Sequence, residues 1–175
     1  MRVLLLSSFF PPDTGGIETY AYNFAVALQT EGHYVKVVCG SREISEVPMQ
    51  HEELYKGIPV VRYCAAPGPF VDWPKRFSSR YNQVEIGDEF DVVFILNVSG
   101  LEFAVSRFNK TPKVYIVPTV FHYASNYIVR HVDPSMKGDV QKIDRQITRI
   151  EKKAIPFIDF FVTLSKNVKD QFIEY

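Results

Sequence analysis

The run Phe9-Phe10-Pro11-Pro12-Asp13-Thr14-Gly15-Gly16-Ile17-Glu18 holds the residue types in this chain best suited to chemistry. Two prolines set a rigid turn, and the turn delivers two adjacent glycines to the start of an amphipathic helical pattern. Glycines there let a ligand approach the backbone, while the first-turn N–H groups and the helix dipole favour an anion such as a diphosphate. The plainer alternative is a tight turn with no ligand. Neither the dinucleotide fingerprint G-x-G-x-x-G nor the Walker pattern with its Lys and Ser/Thr is present, so a Rossmann dehydrogenase and a P-loop NTPase are both unsupported. The second apolar run ends Cys39-Gly40-Ser41-Arg42, without the acid that would hold a ribose, and Arg42 is a remote candidate for a 2′-phosphate.

Other polar residues invite two readings each. Glu18 falls in the first turn of the helical pattern, where the dipole stabilises an acid whether or not a ligand is present. His122 stands between Phe121 and Tyr123, and a lone histidine in such surroundings is ordinarily structural. His33 opens a buried strand and reads as a packing residue. Cys39 and Cys64 are too few for a disulfide scaffold and lack metal-ligand spacing, so they read as reduced buried thiols and no metal is expected.

These residues need elements to position them. Short apolar runs recur at 3–6, 34–39, 60–63, 92–96, 114–117 and 160–164, mostly without polar interruption. Such strands belong in a parallel sheet covered on both faces. Between the first two, Ile17, Tyr20, Ala21, Phe24, Ala25 and Leu28 follow the helical template and stop at Gly32. Further helices are expected at about 74–86, 99–108, 136–155 and 167–175, the long one with Val140, Ile143, Ile147, Ile150 and Ala154 along one face. Residues 41–57 and 64–73 read as loops. The fold class expected is therefore α/β, a Rossmann-like doubly wound parallel sheet in a single domain spanning residues 1–175.

Charge and hydropathy narrow the function classes. The 175 residues carry 20 Lys+Arg and 20 Asp+Glu, a formal net charge of zero, which leaves no footprint for nucleic acid. The apolar start, Val3 to Leu6, is too short for a signal peptide, and no stretch approaches a membrane span. A cytoplasmic protein is expected. The long helix carries Lys137, Lys142, Arg145, Arg149, Lys152 and Lys153 opposite its apolar face, which fits either a solvated face or peripheral contact with anionic lipid at the inner face of the membrane. The aromatic and proline-rich run 67–76 reads as a packed surface loop, or as a stacking surface for a sugar ring or lipid.

The whole order of these segments resembles the N-terminal domain of family-4 retaining glycosyltransferases. The first block, "MRVLLLSSFFPPDTGGIETYAYNFAVALQTEGHYVKVVCG", shares strand, P-P-x-x-G-G-I/V-E, helix and then G-H-x-V-x-V, here Gly32-His33-Tyr34-Val35-Lys36-Val37. Phe90-Asp91-Val92-Val93-Phe94-Ile95-Leu96 is similar to the family's fourth strand. Lys113 to Val117 is similar to the fifth, with His122 just beyond. Glu151 followed by Ile158 to Lys166 resembles the family's pattern of an acid, an apolar strand and a serine.

The resemblance implies a GT-B architecture, two Rossmann-like domains about a cleft, and transfer of a sugar from a nucleotide-diphosphate donor with retention of configuration. It implies that this chain is the acceptor-side domain, that a C-terminal domain with most donor contacts lies elsewhere, and that the chain alone is inactive. Ending inside a helical pattern at Gln171 to Tyr175, the sequence reads as a piece of something longer. Gly15 and Gly16 match the loop that closes on the donor diphosphate, and His122 the histidine near the reacting sugar. Asp13, Glu18, Tyr20, Asn97, Ser99, Ser125 and Asn126 are candidate contacts for a glycan or lipid-linked acceptor, from their position on loops at one edge. No cofactor or metal is implied. Two alternatives remain open: another GT-B nucleotide-sugar enzyme such as an epimerase, and a stand-alone interaction domain.

Overall fold

A strand that is apolar on both faces must be covered on both, and the apolar runs assemble accordingly. The computed structural model describes residues 1–41, 50–64, 72–87, 89–121, 124 and 134–174. In chain order it forms β1 (Arg2–Ser7), α1 (Gly16–Thr30), β2 (Tyr34–Ser41), β3 (Gln50–Tyr55), β4 (Ile58–Cys64), α2 (Trp73–Tyr81) and β5 (Val92–Ile95). A 3-10 turn (Val98–Gly100) then leads into α3 (Leu101–Arg107), followed by β6 (Lys113–Val117), α4 (Lys137–Ala154), β7 (Phe160–Thr163) and α5 (Lys166–Glu174).

All seven strands join one sheet in the order β3-β4-β2-β1-β5-β6-β7. Every neighbouring pair is parallel except β3 with β4. Taken alone, the six parallel strands run 3-2-1-4-5-6, the order of a doubly wound dinucleotide-type sheet, and the direction of winding reverses between β1 and β5.

Alternation along β1 divides the core in two. Leu4 and Leu6, both fully buried, join a cluster with Phe77 and Tyr81 of α2, Leu101 and Phe103 of α3, and Ile143 and Ile147 of α4. Val3 and Leu5 point the other way, onto Ala21 and Ala25 of α1. Fully burying one such aliphatic side chain stabilises by about 1.5 to 3 kcal/mol, so this central strand is the sheet's strongest seam. Gly100 lets the start of α3 approach it closely: an added Cβ would lie 2.9 Å from the Cβ of Leu6.

Helix α1 ends as its sequence predicts. Gly32 adopts φ +82°, and the amides of His33 and Gly32 donate to the carbonyls of Leu28 and Gln29 at 3.0 and 2.9 Å, the paired bonds of a left-handed glycine cap. The long helix buries Val140, Ile143, Ile147, Ile150 and Ala154, as its periodicity predicts.

Two expectations need correction. Residues 50–55 are a strand, not part of a loop, and they make the edge of the sheet antiparallel. Lys56 at φ 48° and Gly57 at φ 84° form a two-residue hairpin turn of the kind that favours a glycine. The second helix stops at Tyr81, five residues short of Ile86, although Val84 and Ile86 remain buried as the chain crosses the bottom of the sheet.

Candidate functional site

Ligands of open α/β sheets bind beyond the carboxyl ends of the strands where the winding reverses, which here means the ends of β1 and β5. The segment after β1 is tied down from its first residues. The Ser8 carbonyl accepts from the Gly40 amide at 2.9 Å, and the Ser7 hydroxyl donates to the Phe9 carbonyl at 2.7 Å. The Phe10 ring is fully buried, edge-on to Tyr22 of α1 and Tyr55 of β3. The loop then reaches Gly15 and Gly16, both exposed, at the N-terminus of α1.

The two glycines differ. A Cβ at Gly15 would overlap the carboxylate of Glu18, whereas one at Gly16 would meet nothing within 4 Å among the described residues. Glu18 is 4% exposed and its carboxylate folds back over the first turn of its own helix, the place where an acid complements the dipole. Open approach to the helix end is therefore from the Gly16 side.

Beside this loop stands the end of β5. Asn97 is half-buried, and its side-chain carbonyl accepts from the Ser99 amide at 3.3 Å and caps the 3-10 turn. Its amide nitrogen donates to Ser8 Oγ, which lies 2.9 Å from Ser99 Oγ. Ser99 is fully buried, so its hydroxyl joins the two loops from beneath and does not face the edge. Below them the single proton of the Tyr81 hydroxyl is shared between the carbonyls of Ser7 and Val38, pinning β1 to β2. Burial pushes the Tyr63 and Tyr81 phenols well above their ordinary range.

The structure places the remaining sequence candidates in different settings. Asp13 is half-buried on the loop, near enough to the Cys39 thiol for its charge to act on it. The Tyr20 ring stacks on Phe24 with centroids 6.0 Å apart, in the packing between α1 and the sheet, and burial raises its phenol pKa. His122, Ser125 and Asn126 lie outside the described residues, as do Arg42 and residues 67–71. Gly15, Gly16, Asp13 and Asn97 are thus gathered at one edge, with Glu18 and Ser99 buried beneath it. Among the described residues no group of three His, Cys, Asp or Glu side chains converges as a metal site.

Sequence reasoning missed Arg62, Glu53, Ser8 and Tyr81. A single arginine inside the apolar run Ile58-Pro59-Val60-Val61-Arg62-Tyr63 is the signal that was there to find, because a charge in a buried strand needs a partner. Arg62 is 4% exposed, and its Nε donates to Glu53 Oε1 at 2.7 Å. The Cys39 thiol, 3.5 Å from Arg62 Nη1, is pushed up to about 12, chiefly by burial and against the pull of the arginine's charge.

A second concavity lies away from the strand ends, between α2 and α4. It is a groove of about 670 Å³ lined by Lys75, Ser79, Gln83, Glu102, Arg149 and Lys153. Lys142 of α4 pairs with Asp72, just before α2, at 3.0 Å. Among the described residues no helix is long and apolar enough to cross a membrane.

Residues 14–175 match the sequence model of Glycosyltransferase Family 4. The chain belongs to Glycosyltransferase Family 4. No curated protein sequence matches this Family 4 chain. Among solved structures it is similar to sucrose-phosphate synthase from Thermosynechococcus elongatus, with TM-score 0.71 and 12% identity over 99% of this chain and 45% of that one. It is also similar to α,α-trehalose 6-phosphate synthase from Burkholderia multivorans, with TM-score 0.52 and 11% identity over 100% of this chain and 42% of that one. At such identities the likeness shows the fold alone, that of GT-B glycosyltransferases. The Family 4 chain spans less than half the length of either structure.

Proposed function

We propose that this Family 4 chain is the acceptor-side domain of a retaining glycosyltransferase, one that moves a hexosyl group from a nucleotide-diphosphate donor to a carbohydrate or lipid-linked acceptor. A second Rossmann-like domain would supply most donor contacts, and the 175-residue chain alone would be inactive. The observation that carries this reading is the exposed Gly15-Gly16 pair at the N-terminus of α1, beyond the reversal between β1 and β5. Departure of a nucleoside diphosphate develops negative charge. Preorganised backbone N–H groups and the positive helix end stabilise that charge in the transition state, so this reading requires no metal or other cofactor. Gly16 is the point of approach because no side chain among the described residues lies where its Cβ would be. His122 is assigned to the reacting sugar, as a hydrogen-bond donor to it or as the group that orients the acceptor.

The test uses the full gene product and a panel of UDP-, GDP- and ADP-sugars. Gly16→Val should leave the melting temperature in place, since the space is open, and lower kcat/KM for the donor by roughly a hundredfold. Unchanged turnover would remove the diphosphate role. His122→Ala should lower kcat with the fold intact.

The groove between α2 and α4 supports a membrane-bound acceptor. Lys75, Arg149 and Lys153 face a single acid there, Glu102, and cations at that density attract anionic headgroups. In liposome sedimentation the full gene product should bind vesicles containing phosphatidylserine at low salt, and Arg145→Glu with Arg149→Glu should abolish it. No sedimentation at low salt would end the membrane reading and leave a soluble glycan as the acceptor.

A further inference from the structure

We infer that Arg62, held by Glu53, is a positioning residue that aims the Gly15-Gly16 loop, and that the β3 edge strand holds it in place. The inference rests on the diphosphate reading of that loop for its catalytic consequence, although the clamp itself is defined by geometry alone.

A guanidinium withdrawn from water needs a counter-charge and acceptors for its N–H groups. Arg62 is 4% exposed, and all three of its nitrogens are engaged. Nε donates to Glu53 Oε1 at 2.7 Å. Nη1 donates to the Phe10 carbonyl at 3.1 Å and lies 3.5 Å from Cys39 Sγ. Nη2 donates to the Pro11 carbonyl. An ion pair serving only to join β3 to β4 would need Glu53 alone. Here the two Nη groups go to consecutive carbonyls of one loop, so a single planar fork fixes two successive peptide planes.

Those planes sit midway along the segment that matters. Hydrogen bonds at Ser7 and Ser8 fix its beginning, and the first turn of α1 fixes its end. Pro11 and Pro12 have no N–H with which to bind anything in between. Their stretch is therefore held by its carbonyl oxygens and by the buried Phe10 ring, and Arg62 supplies the donors. Glu53 reaches the guanidinium because the Lys56-Gly57 turn folds β3 back along β4. Lysine could keep the charge at position 62 but not the fork.

The experiment compares wild type, Arg62→Lys and Glu53→Gln in the full gene product, with three readouts: melting temperature, amide exchange of peptides covering 8–17, and donor kinetics with UDP as competing ligand. Both variants should keep a cooperative melt. Exchange of residues 9, 10 and 13–17 should rise roughly tenfold while that of α4 stays unchanged, and the donor KM and the UDP Kd should rise roughly tenfold to a hundredfold. Unchanged loop exchange in both variants would overturn the inference. So would an equal rise across the whole domain, which is what a merely structural ion pair predicts. If Arg62→Lys fails to fold, Glu53→Gln decides, because the Glu53 side chain is 31% exposed and tolerates neutralisation better. If wild type binds no nucleotide or nucleotide sugar, the donor reading fails, and loop exchange still decides the clamp.

Discussion

The two edges of the sheet are built on opposite rules. At one end β3 runs antiparallel and shows water the polar run from Gln50 to Glu53 with a single exposed leucine, Leu54, after it; Glu52 faces Lys36 at 3.9 Å and Glu53 is bound to Arg62. At the other end β7 carries Phe160, Phe161 and Val162, which are 63%, 40% and 42% exposed. Charge on an edge strand discourages other chains from pairing with it, and exposed apolar side chains invite contact. Their registers make the contrast sharper. Ile116 of β6 and Val162 of β7 are paired and lie on the same face, yet Ile116 is 2% exposed, so cover on the α1 side of the sheet stops between these two strands. The polar edge is thus finished by its own sequence and is tied to the candidate site, whereas the apolar edge is suited to being covered.

The strongest way to break this contrast is at the polar edge. Arg62→Ala should cost about 3 to 4 kcal/mol in chemical denaturation, because it strands Glu53 beside a vacated pocket and leaves two loop carbonyls unpaired. A cost below about 1 kcal/mol would mean that β3 is tied on by its ladder alone. Ile116→Ala should cost about 2 to 3 kcal/mol through cavity formation. A smaller effect is expected from alkali. The Cys39 thiol titrates near 12 in the fold against 9.0 ordinarily, so its contribution is complete below pH 9 and is lost as pH rises through the folded value. Stability should be flat through neutrality and should have fallen by about 1 kcal/mol near pH 10 from this group alone, with the buried Tyr63 and Tyr81 adding to the fall at higher pH. The same thiol should resist alkylation at pH 8, because it is fully buried and stays protonated there. The smallest effect belongs to the apolar edge: Val162→Ala should cost under about 0.5 kcal/mol in the isolated chain. If Val162→Ala matches Ile116→Ala in cost, the β7 face is covered in solution.

The edges also differ in how far their sequences reveal them. Phe160-Phe161-Val162 reads at once as a strand because apolar runs are visible without knowing their neighbours. Gln50-His51-Glu52-Glu53 reads as loop because its stability comes from what lies across the ladder, and only the Lys56-Gly57 turn announces it locally. The candidate site divides in the same way. Gly15 and Gly16 are legible because residue type and place before a helix are enough to suggest an anion site. Arg62 is not, because its acceptors at Phe10 and Pro11 lie 52 and 51 residues away and are main-chain atoms that leave no trace in side-chain spelling. Residue type also says little about which way a side chain faces. Ser99 and Asn97 are two positions apart at the strand end, and the first is enclosed while the second reaches the edge.

That the fork grips main-chain oxygens has a consequence for how freely the loop can change. A clamp that recognised side chains would have to be rebuilt whenever one of them was exchanged. This one ends at Pro11, so an exchange at Pro12, Asp13 or Thr14 leaves both gripped oxygens in place. On the reading proposed above, acceptor preference would be set there as a separable module, with the aim of the glycines inherited unchanged.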